Sequence, residues 1–472
     1  MGFILTAVYI VVTIISPDQF GPQWANYHAM MYLAGITFLF SLPMVHSRTN
    51  LGSSIQTFLM VGFIFAIALS KVANGWIGGA IASWQVFLPS AAVFFFIVAN
   101  VTTIRRLKII TLIAAASCLV VVVEALCGYY LGFYADTFVL QQNVSLPDEV
   151  YGQLARLRGA GFLSDPNDFA QILLIVLPLL FIAWQKGRKV ANALVVLVPA
   201  ALLLWAIYLT HSRGALIALA ILALVAARKK LGTIPAAVLI ALLFIALMAV
   251  DFTGGRGIST AESAGRLEAW ANGLEMFKKA PLFGIGFGAF TDFNELTAHN
   301  SFVLCLAELG LVGTTLWVAL LVTTMINLNR IISKHQKSHT KPTSTAAIES
   351  RKKEFTFLDP VLNLSESPVS AEFATAPVPE AGKVIKTENL PMMPIHWLLA
   401  MRLALVGFIA TCWFLSRSYS TPMYLVLGLA TAMIAVQQPA AQPSFRSRWL
   451  FFTIATETVA LVCVYGMVHL RN

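Results

Sequence analysis

The sequence predicts an all-α, polytopic membrane protein with about twelve or thirteen transmembrane helices. Three observations predict it. Hydrophobic residues fill 58% of the 472 positions and charged residues only 11%, against about a quarter charged in soluble domains. Mean hydropathy is +0.78. Apolar runs near the ~20 residues needed to cross a bilayer recur from end to end, whereas a β-barrel would show short alternating segments.

The predicted spans, in order, are 2–16, 26–45, 54–73, 80–100, 108–128, 168–184, 190–209, 214–227, 232–250, 300–326, 397–415, 421–437 and 449–469. They divide the chain into N-terminal helices (1–128), an outer loop (129–167), central helices (168–250), a large outer loop (251–299), a single helix (300–327), a polar insert (328–396) and C-terminal helices (397–472). The connections "HSRTN", "IRRLK", "WQKGRK", "ARKK" and "SFRSR" fall on one side when the spans alternate. The positive-inside rule assigns that side to the cytoplasm and the two long loops to the opposite face. The insert is rich in Ser, Thr, Pro, Ala and Glu, holds too little hydrophobic mass for a core, and reads as a disordered cytoplasmic linker. The N-terminal run has no basic n-region or clear cleavage site, so it reads as a first span.

A net charge of +10 would point to nucleic acid in a soluble protein; in this chain it fits cytoplasmic anchoring and an anionic lipid or substrate. The five cysteines, at 118, 127, 305, 412 and 463, lie in or beside apolar runs without a CxxC spacing, as small buried hydrophobes do.

Polar chemistry gathers on the outer side. "ARLRGAGFLSDPNDFA" carries Arg156 and Arg158 ahead of a turn, and its DPND, with Asn167, can start a helix whose N-terminus would join arginine in holding an anion. "LTHSRGALIALA" places His211 and Arg213 in a very short turn; a cation opening a helix opposes the dipole, and an anionic ligand would offset that. In the large loop, Leu267, Trp270, Leu274 and Phe277 recur at helical spacing behind Arg266, as in an interfacial helix with its apolar side in lipid. Gly284, Gly286 and Gly288 lack a dinucleotide fingerprint and fit close packing or a tight re-entrant turn. His299 is the residue best suited to activate a hydroxyl, with Asn300 beside it. Glu308 lies farther along the same apolar run, where an acid needs a partner, and Glu124 poses the same question. No spacing resembles a zinc site or a Ser-His-Asp arrangement.

The pieces "RLRGAGFLSDPNDFA", "LTHSRGALIALA", "GRLEAW…KAPLFGIGFGAF" and "HNSFVLCLAELGLVG", in that order over roughly 150–320, resemble the O-antigen ligase and polymerase superfamily of bacterial envelope polysaccharide assembly. The resemblance implies a C-type glycosyltransferase-like fold in the bacterial inner membrane, with its active face periplasmic. Members move a glycan from an undecaprenyl-diphosphate donor to an acceptor hydroxyl with inversion and without a cofactor, bound metal or nucleotide sugar. The acceptor is another glycan, lipid A core or a protein. By this resemblance Arg213 and Arg266 hold the diphosphate, His299 orients or deprotonates the acceptor, and Arg158, with Arg156 as its alternate, adds charge near the entrance. Asn300, Glu308, His211 and Asn167 take supporting places. The implied partners are the lipid-linked donor, the acceptor, membrane lipids and polysaccharide assembly proteins, with no nucleic acid. The long insert departs from the compact ligase pattern. Two other classes stay open on the residues alone: an anion (bicarbonate-like) transporter, and a non-catalytic part of a polysaccharide export complex.

Overall fold

Long apolar runs become helices because a backbone in hydrocarbon must satisfy its own hydrogen bonds. The computed structural model describes residues 1–17, 29–47, 54–145, 151–249, 260–340, 393–437 and 447–469. Its long helices are α1 (Gly2–Ile15), α2 (Ala29–Ser47), α3 (Ile55–Ala73), α4 (Ile77–Asn100), α5 (Ile104–Leu131), α6 (Pro166–Leu179), α7 (Lys189–Leu209), α8 (Arg213–Leu231), α9 (Thr233–Ala249), α10 (Thr260–Lys279), α11 (Ser301–Thr340), α12 (Ile395–Cys412), α13 (Thr421–Gln437) and α14 (Ser447–His469). A 3-10 turn, Leu180–Ala183, extends α6, and a π-turn, Ala193–Leu197, interrupts α7. Among the described residues eight helices are long and apolar enough to cross a membrane, and others are shorter apolar helices. The chain is thus an all-α polytopic membrane protein, with one small β-hairpin among the described residues.

The apolar residues divide between two surroundings. On α3, Phe58, Val61, Phe65, Leu69 and Val72 form an exposed stripe, while Met60, Phe63, Ile67 and Ser70 are buried against neighbouring helices. A stripe of that kind suits contact with lipid. The helix α6 is nearly all buried and α14 mostly exposed, so α6 lies in the core and α14 on the periphery. Polar side chains tie helices together. Asn100 Nδ2 donates to Thr6 Oγ1 at 3.1 Å and Ser41 Oγ at 2.8 Å, joining α4 to α1 and α2. Thr315 donates to Glu457 at 2.9 Å, joining α11 to α14. In a membrane such bonds take over part of the work that hydrophobic burial does in water. The five cysteines are free thiols.

The expected outer segments contain structure that the sequence pattern does not announce. Strands β1 (Val139–Ser145) and β2 (Tyr151–Leu157) pair antiparallel, with Leu140 opposite Arg156 and Gln142 opposite Leu154. The amphipathic stretch forms α10, but its apolar side faces protein instead of lipid. Trp270 and Leu274 are buried, and the Trp270 ring meets Trp413 edge-on with centroids 5.9 Å apart. The neighbouring helices α11 and α14 provide apolar surface for it. The helix expected to end at 327 continues to Thr340, taking in the first residues of the predicted insert; 341–392 lie outside the described residues.

The glycine-rich stretch after α10 is a re-entrant turn packed against a break in α11. Gly310 interrupts that helix at φ 60° and ψ −160°. The returning chain supplies partners around the break: Ile285 N–H donates to Ala307 O at 2.9 Å, Gly286 to Glu308 O at 3.0 Å, and Leu311 to Pro281 O at 2.9 Å. Glu308 Oε1 accepts from Phe290 N–H at 3.1 Å, while Asn74 Nδ2 donates to Gly284 O at 2.8 Å and Ser70 Oγ accepts from Phe287 N–H at 2.9 Å. Non-helical backbone inside a membrane protein is tolerated where protein covers it and satisfies its polar groups.

Candidate active site

Helix N-termini are built from side chains that accept the first backbone N–H groups. Asp165 caps α6, its Oδ1 accepting from Asn167 N–H at 2.7 Å. Ser212 caps α8 through Ala215 N–H at 3.3 Å. Asn300 caps α11 by accepting from Phe302 and Val303 N–H at 2.9 and 3.1 Å. All three ends converge on one cavity of about 480 Å³, whose wall includes Asp165, Asn167, Ser212, Arg213, Arg266 and His299. Each helix start carries the positive end of its dipole. Arginines add to that field, so the cavity favours an anion.

His299 is positioned by its neighbours in sequence. Trp270 Nε1 donates to Ala298 O at 2.8 Å, immediately before it, and the buried Asn300 fixes the helix start immediately after it. The backbone of His299 takes φ 48°, a left-handed conformation that non-glycine residues seldom adopt. Such geometry persists where surrounding contacts over-determine it.

Arg156 and Arg158 have different surroundings. Arg156 is 5% exposed and lines the cavity. Its Nε donates to Thr210 O at 2.9 Å, Nη1 to Gln142 Oε1 at 3.1 Å and Nη2 to Asn167 Oδ1 at 3.2 Å. It therefore joins the hairpin to the starts of α6 and α8. Arg158 lies outside the cavity wall and staples the neighbouring turn, donating to Thr137 O at 3.0 Å and Asp136 O at 2.6 Å. Of the two arginines expected near the entrance, Arg156 lines the cavity and Arg158 does not.

His211 and Glu308 also lie off the cavity wall. His211 is buried with φ 49°, its ring 5.8 Å from that of Tyr208, and Glu308 fastens the glycine turn to α11. Glu124 lines a separate cavity of about 340 Å³ beside Phe133 and Phe138.

One contribution to the cavity was not anticipated. The turn joining α12 to α13 supplies Phe414 and Leu415 to the wall. It is bolted down through Arg417, whose guanidinium pairs with the Asp168 carboxylate in α6 and whose N–H donates to Ser301 Oγ at 2.9 Å. Ser418 Oγ adds a bond to Ser301 O at 2.7 Å. Arg417 in "LSRSYS", like Arg213, is an arginine in a short turn between two helices.

A sequence comparison with curated proteins finds no match. Residues 198–318 match the family described as O-antigen ligase, a segment that contains Arg213, Arg266, His299 and the broken helix around Glu308. The matched segment is thus similar to the O-antigen ligase family, whose general activity is glycan transfer, and it supports the resemblance to the ligase and polymerase superfamily.

Proposed function

We propose that the protein transfers a glycan from an undecaprenyl-diphosphate carrier to an acceptor hydroxyl on the periplasmic face of the bacterial inner membrane, as a surface-polysaccharide ligase or polymerase. The observation that carries this reading is the single cavity lined by Arg213, Arg266 and His299 at three converging helix N-termini. Guanidinium groups make paired bonds to phosphate oxygens, and helix starts favour the same charge. The acceptor oxygen attacks the anomeric carbon as the bond from that carbon to the diphosphate oxygen breaks. The electron pair leaves with the diphosphate, the acceptor proton passes to His299, and the anomeric centre inverts. Arg213 and Arg266 stabilise charge on the departing oxygen. Arg156 holds the wall in place, and Arg158 acts on the fold beside it.

The test is glycan transfer by the purified full chain in nanodiscs, with a lipid-diphosphate-linked oligosaccharide and, separately, a second lipid-linked repeat, lipid A core or a protein acceptor. His299→Ala is expected to lower turnover by about 100-fold or more, the usual scale for general acid–base catalysis. Turnover in the variant equal to wild type removes His299 from the mechanism. The productive acceptor separates ligase from polymerase. In the same assay Arg156→Ala is expected to cost more than tenfold, because it leaves Gln142 and Asn167 unsupported, while Arg158→Ala stays within about threefold. Equal losses for the two would contradict the assignment of Arg158 to the fold.

A further inference from the structure

The contacts of Arg156 determine which way two amides face. Arginine has five N–H donors and no acceptor, so Gln142 and Asn167 must both turn their oxygens to it, as they do at 3.1 and 3.2 Å. Each amide then presents its NH₂ away from the guanidinium. Among the described residues neither Gln142 Nε2 nor Asn167 Nδ2 has a hydrogen-bond partner, and both residues line the cavity. They are held side by side on the two terminal nitrogens of one guanidinium. The result is a pair of fixed donors without an accompanying acceptor from either amide, beside the arginines proposed to bind diphosphate.

A sugar hydroxyl donates as well as accepts and gains no special advantage from such a pair. An sp² oxygen only accepts, has two lone pairs and can take both bonds. We infer that Gln142 and Asn167 are specificity-determining residues that select a donor whose diphosphate-linked sugar bears a carbonyl-type oxygen, in an acylamino or a carboxylate group. This inference rests on the reading of the cavity as a lipid-diphosphate glycan site. A site built to bond a polar group rejects an analogue lacking it more strongly than an apolar pocket rejects a missing methylene.

The experiment measures binding of polyprenyl diphosphates carrying a 2-acetamido hexose, a hexuronic acid, a plain hexose or no sugar to the full chain in nanodiscs. Wild type is expected to favour one or both carbonyl-bearing sugars over the plain hexose by at least about tenfold, corresponding to ~1.4 kcal/mol. The preferred sugar identifies the group. Gln142→Glu and Asn167→Asp keep an oxygen for Arg156 but remove the donor, and each is expected to cut that preference by about tenfold. The preference is a ratio within one variant, so a general loss of diphosphate affinity does not mimic the effect. Two results overturn the inference while leaving the diphosphate reading intact: wild type binds the sugar-free diphosphate without discriminating among sugars, or the variants discriminate as wild type does. Failure of wild type to bind any of the four probes overturns both.

Discussion

Arg213→Ala is expected to reduce glycan transfer by about 100- to 1,000-fold, the loss typical when one preorganised charge-stabilising donor is removed. Arg213 opens α8, where Ser212 caps the helix and both residues line the cavity. In the proposed reaction negative charge grows on the leaving diphosphate as the sugar–oxygen bond breaks, and a guanidinium beside it stabilises that charge. The expected combination is a large loss of turnover in protein that still folds. Arg213→Lys should fall between, because a lysine keeps the charge and loses the planar fork. A drop in melting temperature that tracks the loss of turnover would assign Arg213 a structural role instead.

Gly284→Ala is expected to cost the largest share of stability, more than about 4 kcal/mol, a loss confined to a few severe mechanisms. Gly284 has φ +69°, and a Cβ built there would lie 2.2 Å from the Glu308 carbonyl carbon and 2.4 Å from Leu309 N. Both atoms are backbone, so no rotamer change relieves the overlap. Gly310 makes the reciprocal approach, with a built Cβ 2.5 Å from the Leu282 carbonyl carbon. An added methyl at either position separates the turn from the broken helix and strands the backbone groups that now pair across it. Thermal unfolding of the purified variant should show the loss directly. Near-wild-type stability would mean that the turn does not close on α11 as described.

The helices are legible because a bilayer imposes length and polarity on every span, as α5 and its 28 residues illustrate. The break in α11 is not, since its cause is a backbone arriving from another segment and not a feature of "LAELGLVG" itself. The hairpin is similarly hidden. "VLQQNVS" and "YGQLARL" are short and mix apolar with polar residues, and Arg156 ties the hairpin to residues beyond it. Within the candidate site Arg213, Arg266 and His299 stand out as charge or hydrogen-bonding capacity beside apolar runs. Gln142 and Thr411, which also line the cavity, do not. Neutral polar residues acquire meaning only from what they face, as the amide of Gln142 does against Arg156. The burial of Trp270 and Leu274 was illegible for a related reason, because an apolar helical face reads the same whether lipid or protein covers it.

The cavity is proposed to break a glycan–diphosphate bond and join the glycan to a new oxygen. The most direct test is stoichiometry: in nanodiscs containing the full chain, released undecaprenyl diphosphate and joined glycan are quantified together by mass spectrometry. One lipid diphosphate is expected to be released for each glycan joined, with both signals suppressed together in Arg213→Ala and His299→Ala. Diphosphate release without glycan joining, or joining that persists undiminished in both variants, would contradict it.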